Sequence, residues 1–180
     1  MKLVRIFVPN LYAIRFNEGE DDEFTHLFEC WSDVAYLEEF FENNKSDLES
    51  GFYNIHVVEH AVKRTKEESQ LLENDLMELS RRSKLGEKPD LDILFKPLYN
   101  KDYCFMELHK TKAKGGYINS WLRIYAIRID TNTYVITGGG IKLTKTMNDR
   151  VHLINELEKL TKVKNWLEEN GFLDQKSVTI

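Results

Sequence analysis

The chain has 180 residues, with 25 Lys and Arg against 30 Asp and Glu, which gives a formal net charge of −5. Hydrophobic residues make up 42% and charged residues 31%, so the composition excludes a disordered or fibrous chain. No apolar run approaches the roughly 18 residues of a membrane span. Two cysteines are too few for a disulfide framework. We expect one domain over residues 1–180, in the cytoplasm and without a cofactor.

The first third of the chain predicts a β-hairpin and then a helix. Residues 3–8 and 11–16 are rich in Val, Ile, Tyr and Phe, and Pro9-Asn10 between them is typical of a turn. Residues 17–23 predict an acidic loop. Apolar residues then recur at helical spacing, which predicts a helix over about 32–44. Ser32 or Asp33 would cap its start.

A longer helix is predicted over about 54–83. Apolar or small residues alternate at spacings of three and four, and neither Pro nor Gly interrupts them. This pattern is compatible with a coiled-coil dimer or with packing across a sheet. Two polar residues within the stripe predict that the helix leaves the core there or bends. The stripe consists of Ile55, Val58, Val62, Thr65, Ser69, Leu72, Leu76 and Leu79.

The second half predicts strands and a final helix. Strands are expected at 103–109, 121–129 and 134–137, and the polar turn before the third predicts a hairpin. The triple glycine 138–140 indicates a β-bulge, a sharp bend or a close approach of backbone. A helix is predicted over about 148–170.

Together these elements predict an α+β fold. A small antiparallel sheet would pack with the long helix (about 54–83), the shorter helix (about 32–44) and the C-terminal helix (about 148–170).

The charge of −5 hides a polarised chain. Residues 17–49 hold twelve acidic residues and one basic residue, whereas residues 96–150 hold ten basic residues and four acidic ones. On an antiparallel sheet, the basic residues would form a phosphate-binding face, with interleaved aromatic residues to stack on bases. The alternative is a solvated sheet face whose basic residues pair with the acidic segment.

The histidines allow several interpretations. His56 and His60 lie four apart on the predicted long helix, which suits a metal pair or two surface histidines, and we expect no metal. His109 follows a predicted strand and precedes a basic loop, which makes it a candidate for acid–base chemistry.

Residues 103–170 resemble a known family. They contain a strand ending in Glu107-Leu108-His109, a strand with Leu122-Arg123-Ile124-Tyr125, and the segment Gly139-Gly140-Ile141-Lys142-Leu143-Thr144-Lys145-Thr146-Met147 before the last helix. This order resembles the RelE/HigB superfamily of toxins from bacterial toxin–antitoxin systems. The resemblance divides the chain into an acidic extension (1–53) and a RelE/HigB-like core (54–172). The whole chain also resembles proteins of anaerobic gut bacteria, which implies no function.

The resemblance implies ribosome-dependent cleavage of mRNA, with an antitoxin protein and RNA or the ribosome as partners. In such cleavage the 2′-hydroxyl attacks the adjacent phosphate, so a base, an acid and cations are needed. His109 stands where the family has Arg. The alternative is a non-catalytic protein- or nucleic-acid-binding module on the same fold. The implied catalytic residues are His109, Arg123, Lys142 and Lys145. The implied RNA-binding residues are Lys110, Lys112, Lys114, Tyr125 and Arg128.

Overall fold

The computed structural model describes residues 1–50, 53–97, 109–114, 120–144 and 150–172, with 109–114 as backbone alone. These residues form one mixed sheet and a set of helices, so the predicted α+β class is confirmed. The strands are β1 (Lys2–Phe7), β2 (Leu11–Arg15), β3 (Lys96–Pro97), β4 (His109–Lys114), β5 (Leu122–Asp130) and β6 (Thr133–Ile141). The helices are α1 (Glu23–Ser32), α2 (Val34–Asn43), α3 (Lys45–Leu48), α4 (Val58–Leu85), α5 (Leu91–Leu94) and α6 (Val151–Glu169).

The strand order in the sheet is β1-β2-β6-β5-β4-β3. Both predicted hairpins, β1–β2 and β5–β6, are present and antiparallel. The pairing of β2 with β6 is parallel, which differs from the predicted all-antiparallel sheet. A tight turn forces antiparallel pairing only on the strands that it joins, and β2 and β6 are far apart in sequence. The N-terminal hairpin therefore belongs to the same sheet as the later strands.

The predicted helix over 32–44 is α2, and the structure adds a separate helix before it. Asp22 caps α1 by accepting hydrogen bonds from Phe24 N (3.0 Å) and Thr25 N (3.2 Å). Asp33 breaks the chain between the two helices and caps α2 through Ala35 N (2.8 Å). The prediction that Ser32 or Asp33 starts a helix is therefore confirmed for Asp33.

The long helix begins at Val58, four residues later than predicted, and ends before Gly86 at φ 71°. His56 precedes this helix, so it does not share a helix face with His60. The predicted stripe faces the interior. Contrary to expectation, Thr65 and Ser69 are buried, and neither takes the helix out of the core. Their hydroxyls donate to carbonyls of the preceding turn, Ala61 O (2.8 Å) in the case of Thr65, which satisfies them inside the core.

The sheet is covered by helices on both sides. Leu122, Ile124 and Ala126 of β5 face a large core shared with α1, α2, α4 and α5. Tyr125 and Ile127 face a smaller core shared with α6. The alternation along β5 thus places neighbouring residues in different layers.

The acidic segment 17–49 largely faces solvent. Asp22, Glu23 and Asp47 have structural roles: the first caps α1, the second lies 3.0 Å from Lys159, and the third binds Arg150 Nε at 2.7 Å. Within the described residues, Arg150–Asp47 is the ion pair that joins this segment to the basic one. Eight acidic residues are exposed: Glu18, Glu20, Asp21, Glu29, Asp33, Glu38, Glu39 and Glu42.

Candidate anion-binding site

Arg123 lies near the start of β5, opposite Gly140 of β6 and Lys114 of β4. Its Nη1 atom donates to Ser120 O and Leu122 O, both at 2.7 Å, so the guanidinium is held against its own strand. In the part of the chain that the structure describes, its Nε and Nη2 atoms make no hydrogen bond. Burial lowers the pKa of this guanidinium, although it remains a cation at neutral pH.

Lys142 lies directly after β6 and beside Arg123's end of the sheet. Its backbone N donates to Trp121 O at 2.8 Å, and its carbonyl accepts from the Tyr53 hydroxyl at 3.1 Å. Its Nζ atom donates to Thr144 O at 2.6 Å. The backbone of Lys142 is thus fixed from two sides, by Trp121 just before β5 and by Tyr53 in the segment before α4.

Helix α4 brings a second arginine to this end of the sheet. Arg64 Nε lies 2.7 Å from Glu68 Oε1, and its guanidinium carbon lies 4.2 Å from the centre of the Trp121 ring. Glu68 is fully buried, and its Oε2 atom accepts from Ser120 Oγ at 2.6 Å. A buried carboxylate is costly unless it is paired and hydrogen-bonded, and here both conditions are met.

Trp121 is the buried platform under these groups. Its Nε1 atom donates to Thr65 Oγ1 at 3.0 Å, and Phe41 and Tyr53 pack edge-on against its ring at 5.6 and 5.2 Å. The Thr65 hydroxyl of the predicted stripe is therefore the partner that lets an indole N–H lie in the core.

Electrostatic interactions link four of these side chains, Tyr53, Arg64, Glu68 and Arg123. Burial raises the pKa of the Tyr53 hydroxyl, while Arg123 and Arg64 act on it in the opposite direction. Glu68 also acts on both Tyr53 and Arg123. We define the Arg123 cluster as Tyr53, Arg64, Glu68, Arg123 and Lys142. It contains three cations and one carboxylate, so its formal charge is positive.

Two of the four residues implied as catalytic, Arg123 and Lys142, lie at the same end of the β5–β6 hairpin. His109 lies opposite Arg128 in the register of β4 and β5, which is five residues from Arg123 along β5. At roughly 3.3 Å per residue, this is about 17 Å. Lys145 lies outside the described residues. The implied acid–base group is therefore remote from Arg123 and Lys142.

The residues implied as RNA-binding do not all lie at one place on the sheet. Lys110, Lys112 and Lys114 lie opposite Ile127, Tyr125 and Arg123, so Lys114 is the one level with the Arg123 cluster.

Tyr125 and Arg128 have other surroundings. Tyr125 is 1% exposed in the α6 core, so its ring is removed from solvent and is not placed to stack on a base. Arg128 Nη2 lies 3.5 Å from Asp92 Oδ2, and Asp92 Oδ1 accepts from the Tyr134 hydroxyl at 2.6 Å. Arg128 is thus tied to α5, on the opposite face of the sheet from α6.

Sequence reasoning missed Tyr53, Arg64 and Glu68. Arg64 and Glu68 have the four-residue spacing of a helical ion pair, and Glu68 directly precedes Ser69 of the buried stripe. Lys63 and Glu67 have the same spacing one residue earlier, yet that pair is exposed at 4.0 Å. The difference depends on Ser120 and Trp121, which are distant in sequence.

The chain matches no family model, and searches among curated proteins and solved structures find no match. The resemblance of residues 103–170 to the RelE/HigB superfamily therefore stays a prediction. Among the described helices, none is both long and apolar enough to cross a bilayer. The described ranges also contain no group of three or more His, Cys, Asp or Glu side chains placed to hold a metal ion.

Proposed function

We propose that this protein binds RNA through the Arg123 cluster. The observation that carries the proposal is the Nε–Nη2 side of the Arg123 guanidinium, which keeps its donors while two carbonyls fix the rest of the group. A planar guanidinium offers paired N–H donors that match two oxygens of a phosphate. Holding the group in advance lowers the entropy cost of binding.

Neighbouring groups favour RNA over a simple ion. Tyr53 is a half-buried aromatic residue at the cluster, and such rings stack on unpaired bases. Lys142 lies beside it, and Lys114 lies opposite Arg123 in the strand register. Proteins bind single-stranded nucleic acid with this combination of a cationic group and an adjacent aromatic ring.

The first test is RNA binding by fluorescence anisotropy with a short single-stranded RNA labelled at its 3′ end. Arg123→Gln should weaken binding about 10-fold, equivalent to about 1.4 kcal/mol. It should also reduce the slope of log affinity against log salt by about one, because one phosphate contact is lost.

Arg5→Gln is the matched control, because Arg5 is exposed on β1 and the charge change is the same. Its affinity for RNA should stay within about twofold of the parent protein. Thermal unfolding of both variants checks that they are folded. An equal loss in Arg5→Gln, or no binding by the parent protein at low salt, would reject the proposal.

The family resemblance adds a further proposal to RNA binding: cleavage of mRNA on the ribosome, with an antitoxin as regulator. To test for cleavage, the protein is incubated with a translating extract and the mRNA is then analysed on a denaturing gel. Fragments that vanish with Arg123→Gln would support cleavage. Intact mRNA with retained binding would favour the non-catalytic module.

A further inference from the structure

We propose that a cavity at the turn end of the two hairpins binds a small organic cation, a primary ammonium group on an apolar carbon skeleton. The cavity lies beside Asp130 at the end of β5, whereas Arg123 lies near the start of the same strand. Seven residues separate the two positions, which is about 23 Å along a strand. The site is therefore separate from the Arg123 cluster and does not depend on RNA binding.

Three parts of the chain line the cavity: the β1–β2 turn, the β5–β6 turn and the residues just after α6. Hydrogen bonds join the two turns, from Asn10 Nδ2 to Asn132 O at 3.1 Å and from Tyr134 N to Asn10 O at 2.9 Å. The cavity has a volume of about 570 Å³, which is within the range of small-molecule sites in proteins. The space is therefore large enough for an organic ligand.

Part of the cavity wall is apolar. Pro9 and Ile129 line it, together with the aromatic residues Tyr12 and Phe172. The Phe172 ring stacks on Trp166 of α6, with the ring centroids 5.9 Å apart, which holds this aromatic residue in place after the helix. Apolar side chains suit a carbon skeleton, and aromatic rings attract a cation over their faces.

The polar part of the wall has used most of its hydrogen-bond donors. Asn10 Nδ2 donates to Asn132 O, and the Thr133 hydroxyl donates to Thr131 O at 3.2 Å. The Thr131 N–H donates to Asp130 Oδ1 at 2.6 Å. What remains for a ligand is mainly oxygen acceptors, so the ligand that fits is one that donates hydrogen bonds, as an ammonium does.

The charge of the wall is negative. Among the lining residues that the structure describes, Asp130 is the one that carries a charge, and its carboxylate forms no ion pair with a described residue. Gly171 and Phe172 follow the C-terminus of α6, where the helix dipole places partial negative charge. Their N–H groups donate back to Glu168 O and Leu167 O, so they offer no donor to a ligand. These features favour a cation over an anion.

Two buried amide oxygens add to this environment. Asn10 lines the cavity and Asn132 lies between two lining residues, and the Oδ1 atom of each has no hydrogen-bond partner in the described part of the chain. An unpaired oxygen carries partial negative charge, which acts on a nearby cation through space. Arg128, close by on β5, is already paired with Asp92 at 3.5 Å. A bound ammonium would supply the positive charge that the cavity lacks.

Isothermal titration calorimetry with three probes of similar size tests this proposal. Phenethylamine is an ammonium at neutral pH, phenethyl alcohol is neutral and phenylacetate is an anion. We expect the ammonium to bind with a Kd below about 1 mM, and the alcohol to bind at least about 10-fold more weakly. Phenylacetate should give no heat of binding. Trp166 fluorescence should change with the ammonium, because Trp166 stacks on Phe172 of the wall.

Asp130→Asn is the discriminating variant, since the amide keeps the shape of the side chain and an acceptor for the Thr131 N–H but loses the charge. Its affinity for phenethylamine should fall about 10-fold, while its affinity for phenethyl alcohol should stay the same. Asp21→Asn is the matched control, because Asp21 is exposed and lies outside the cavity. That variant should bind phenethylamine within about twofold of the parent protein. Thermal unfolding checks that both variants are folded.

Equal affinities for phenethylamine and phenethyl alcohol would show that the cavity selects apolar ligands, and the assignment of a cation would be wrong. Absence of phenethylamine binding at millimolar concentrations would reject the site. An equal loss of affinity in Asp21→Asn would show that the overall charge of the protein attracts the probe, which also contradicts the proposal. Each of these results leaves RNA binding by the Arg123 cluster unaffected.

Discussion

Glu156 of α6 has a mostly buried carboxylate that lies beside Gly138 of β6. Its Oε1 atom lies 3.0 Å from Lys159 Nζ, whereas its Oε2 atom is buried without a hydrogen-bond partner in the described residues. Burial raises the pKa of this carboxyl, Glu23 of α1 adds to the rise, and Lys159 and the Gly139 N–H oppose it. The folded protein therefore holds the Glu156 proton more tightly than the unfolded chain does.

This rise in pKa predicts how stability depends on pH. Between the ordinary Glu pKa of 4.5 and the raised value, the folded state binds more protons, so the free energy of unfolding falls as pH increases. Glu156→Gln removes the titrating group and should flatten the curve in that window. Urea unfolding of the parent protein and of the variant measures the free energy of unfolding across this pH range. An unchanged slope in Glu156→Gln would show that other groups cause the dependence.

We expect truncation of the Glu68 side chain to cause a large loss of stability. Glu68→Ala removes the ion pair with Arg64 and leaves the buried Ser120 hydroxyl without its acceptor, at a position that is fully buried. Breaking a buried pair in this way costs about 3–5 kcal/mol. The measurement is the free energy of unfolding in urea.

Glu67→Ala is the control for that change. Glu67 pairs with Lys63 at 4.0 Å on the exposed side of the same helix. Its loss should change stability by no more than about 0.5 kcal/mol. Similar losses in both variants would contradict the assignment of Glu68 to a buried network.

At the scale of elements, the glycines of β6 show close packing between layers. A Cβ at Gly139 would lie 2.4 Å from Arg123 O and 2.9 Å from Leu27 Cδ1, whereas one at Gly140 would lie 3.7 Å from Leu153. The register of β5 and β6 also shifts beside Gly138. The expected β-bulge and close approach of backbone are therefore both present.

These contacts predict opposite outcomes for neighbouring substitutions. Gly139→Ala should destabilise the protein by about 1–3 kcal/mol, because backbone and a packed Leu side chain cannot both move aside. Gly140→Ala makes an ordinary contact and should be tolerated. Thermal unfolding of the two variants compares them directly. A Gly140→Ala loss as large as that of Gly139→Ala would contradict this packing.

Helix α4 shows what a sequence pattern conveys about an element. Its spacing predicted a buried face, and Val62, Leu72 and Leu76 are buried as expected. The pattern could not show that Thr65 would be satisfied inside the core, because its partners are Ala61 O in the preceding turn and Trp121 Nε1, which is distant in sequence. A polar residue in a stripe is costly only if no partner meets it.

At the scale of the whole molecule, the N-terminal hairpin is built into the sheet. Leu11, Tyr12 and Ala13 of β2 pair with β6, and Trp31 of α1 lies in the same core as Trp121. We therefore expect a single cooperative unfolding transition. Tryptophan fluorescence and far-ultraviolet circular dichroism should give coincident urea curves. Two separated transitions would instead indicate that residues 1–53 unfold as a unit of their own.

The sequence by itself determined the α+β class, both hairpins, the long helix and the segregation of charge. These features follow from local periodicity, turn residues and counts of charges, which act over a few residues. It also identified Arg123 and Lys142 as candidate residues. The pairing of β5 with β6 places these two residues at the same end of the sheet, and the predicted hairpin already implied that pairing.

Only the tertiary structure decided the composition of the site. Arg64 and Glu68 join it because α4 packs over Trp121, and His109 is removed from it because the strand register sets it opposite Arg128. The parallel pairing of β2 with β6 is likewise a long-range choice. Contacts between residues distant in sequence depend on how whole elements pack, and a local pattern carries little information about that packing.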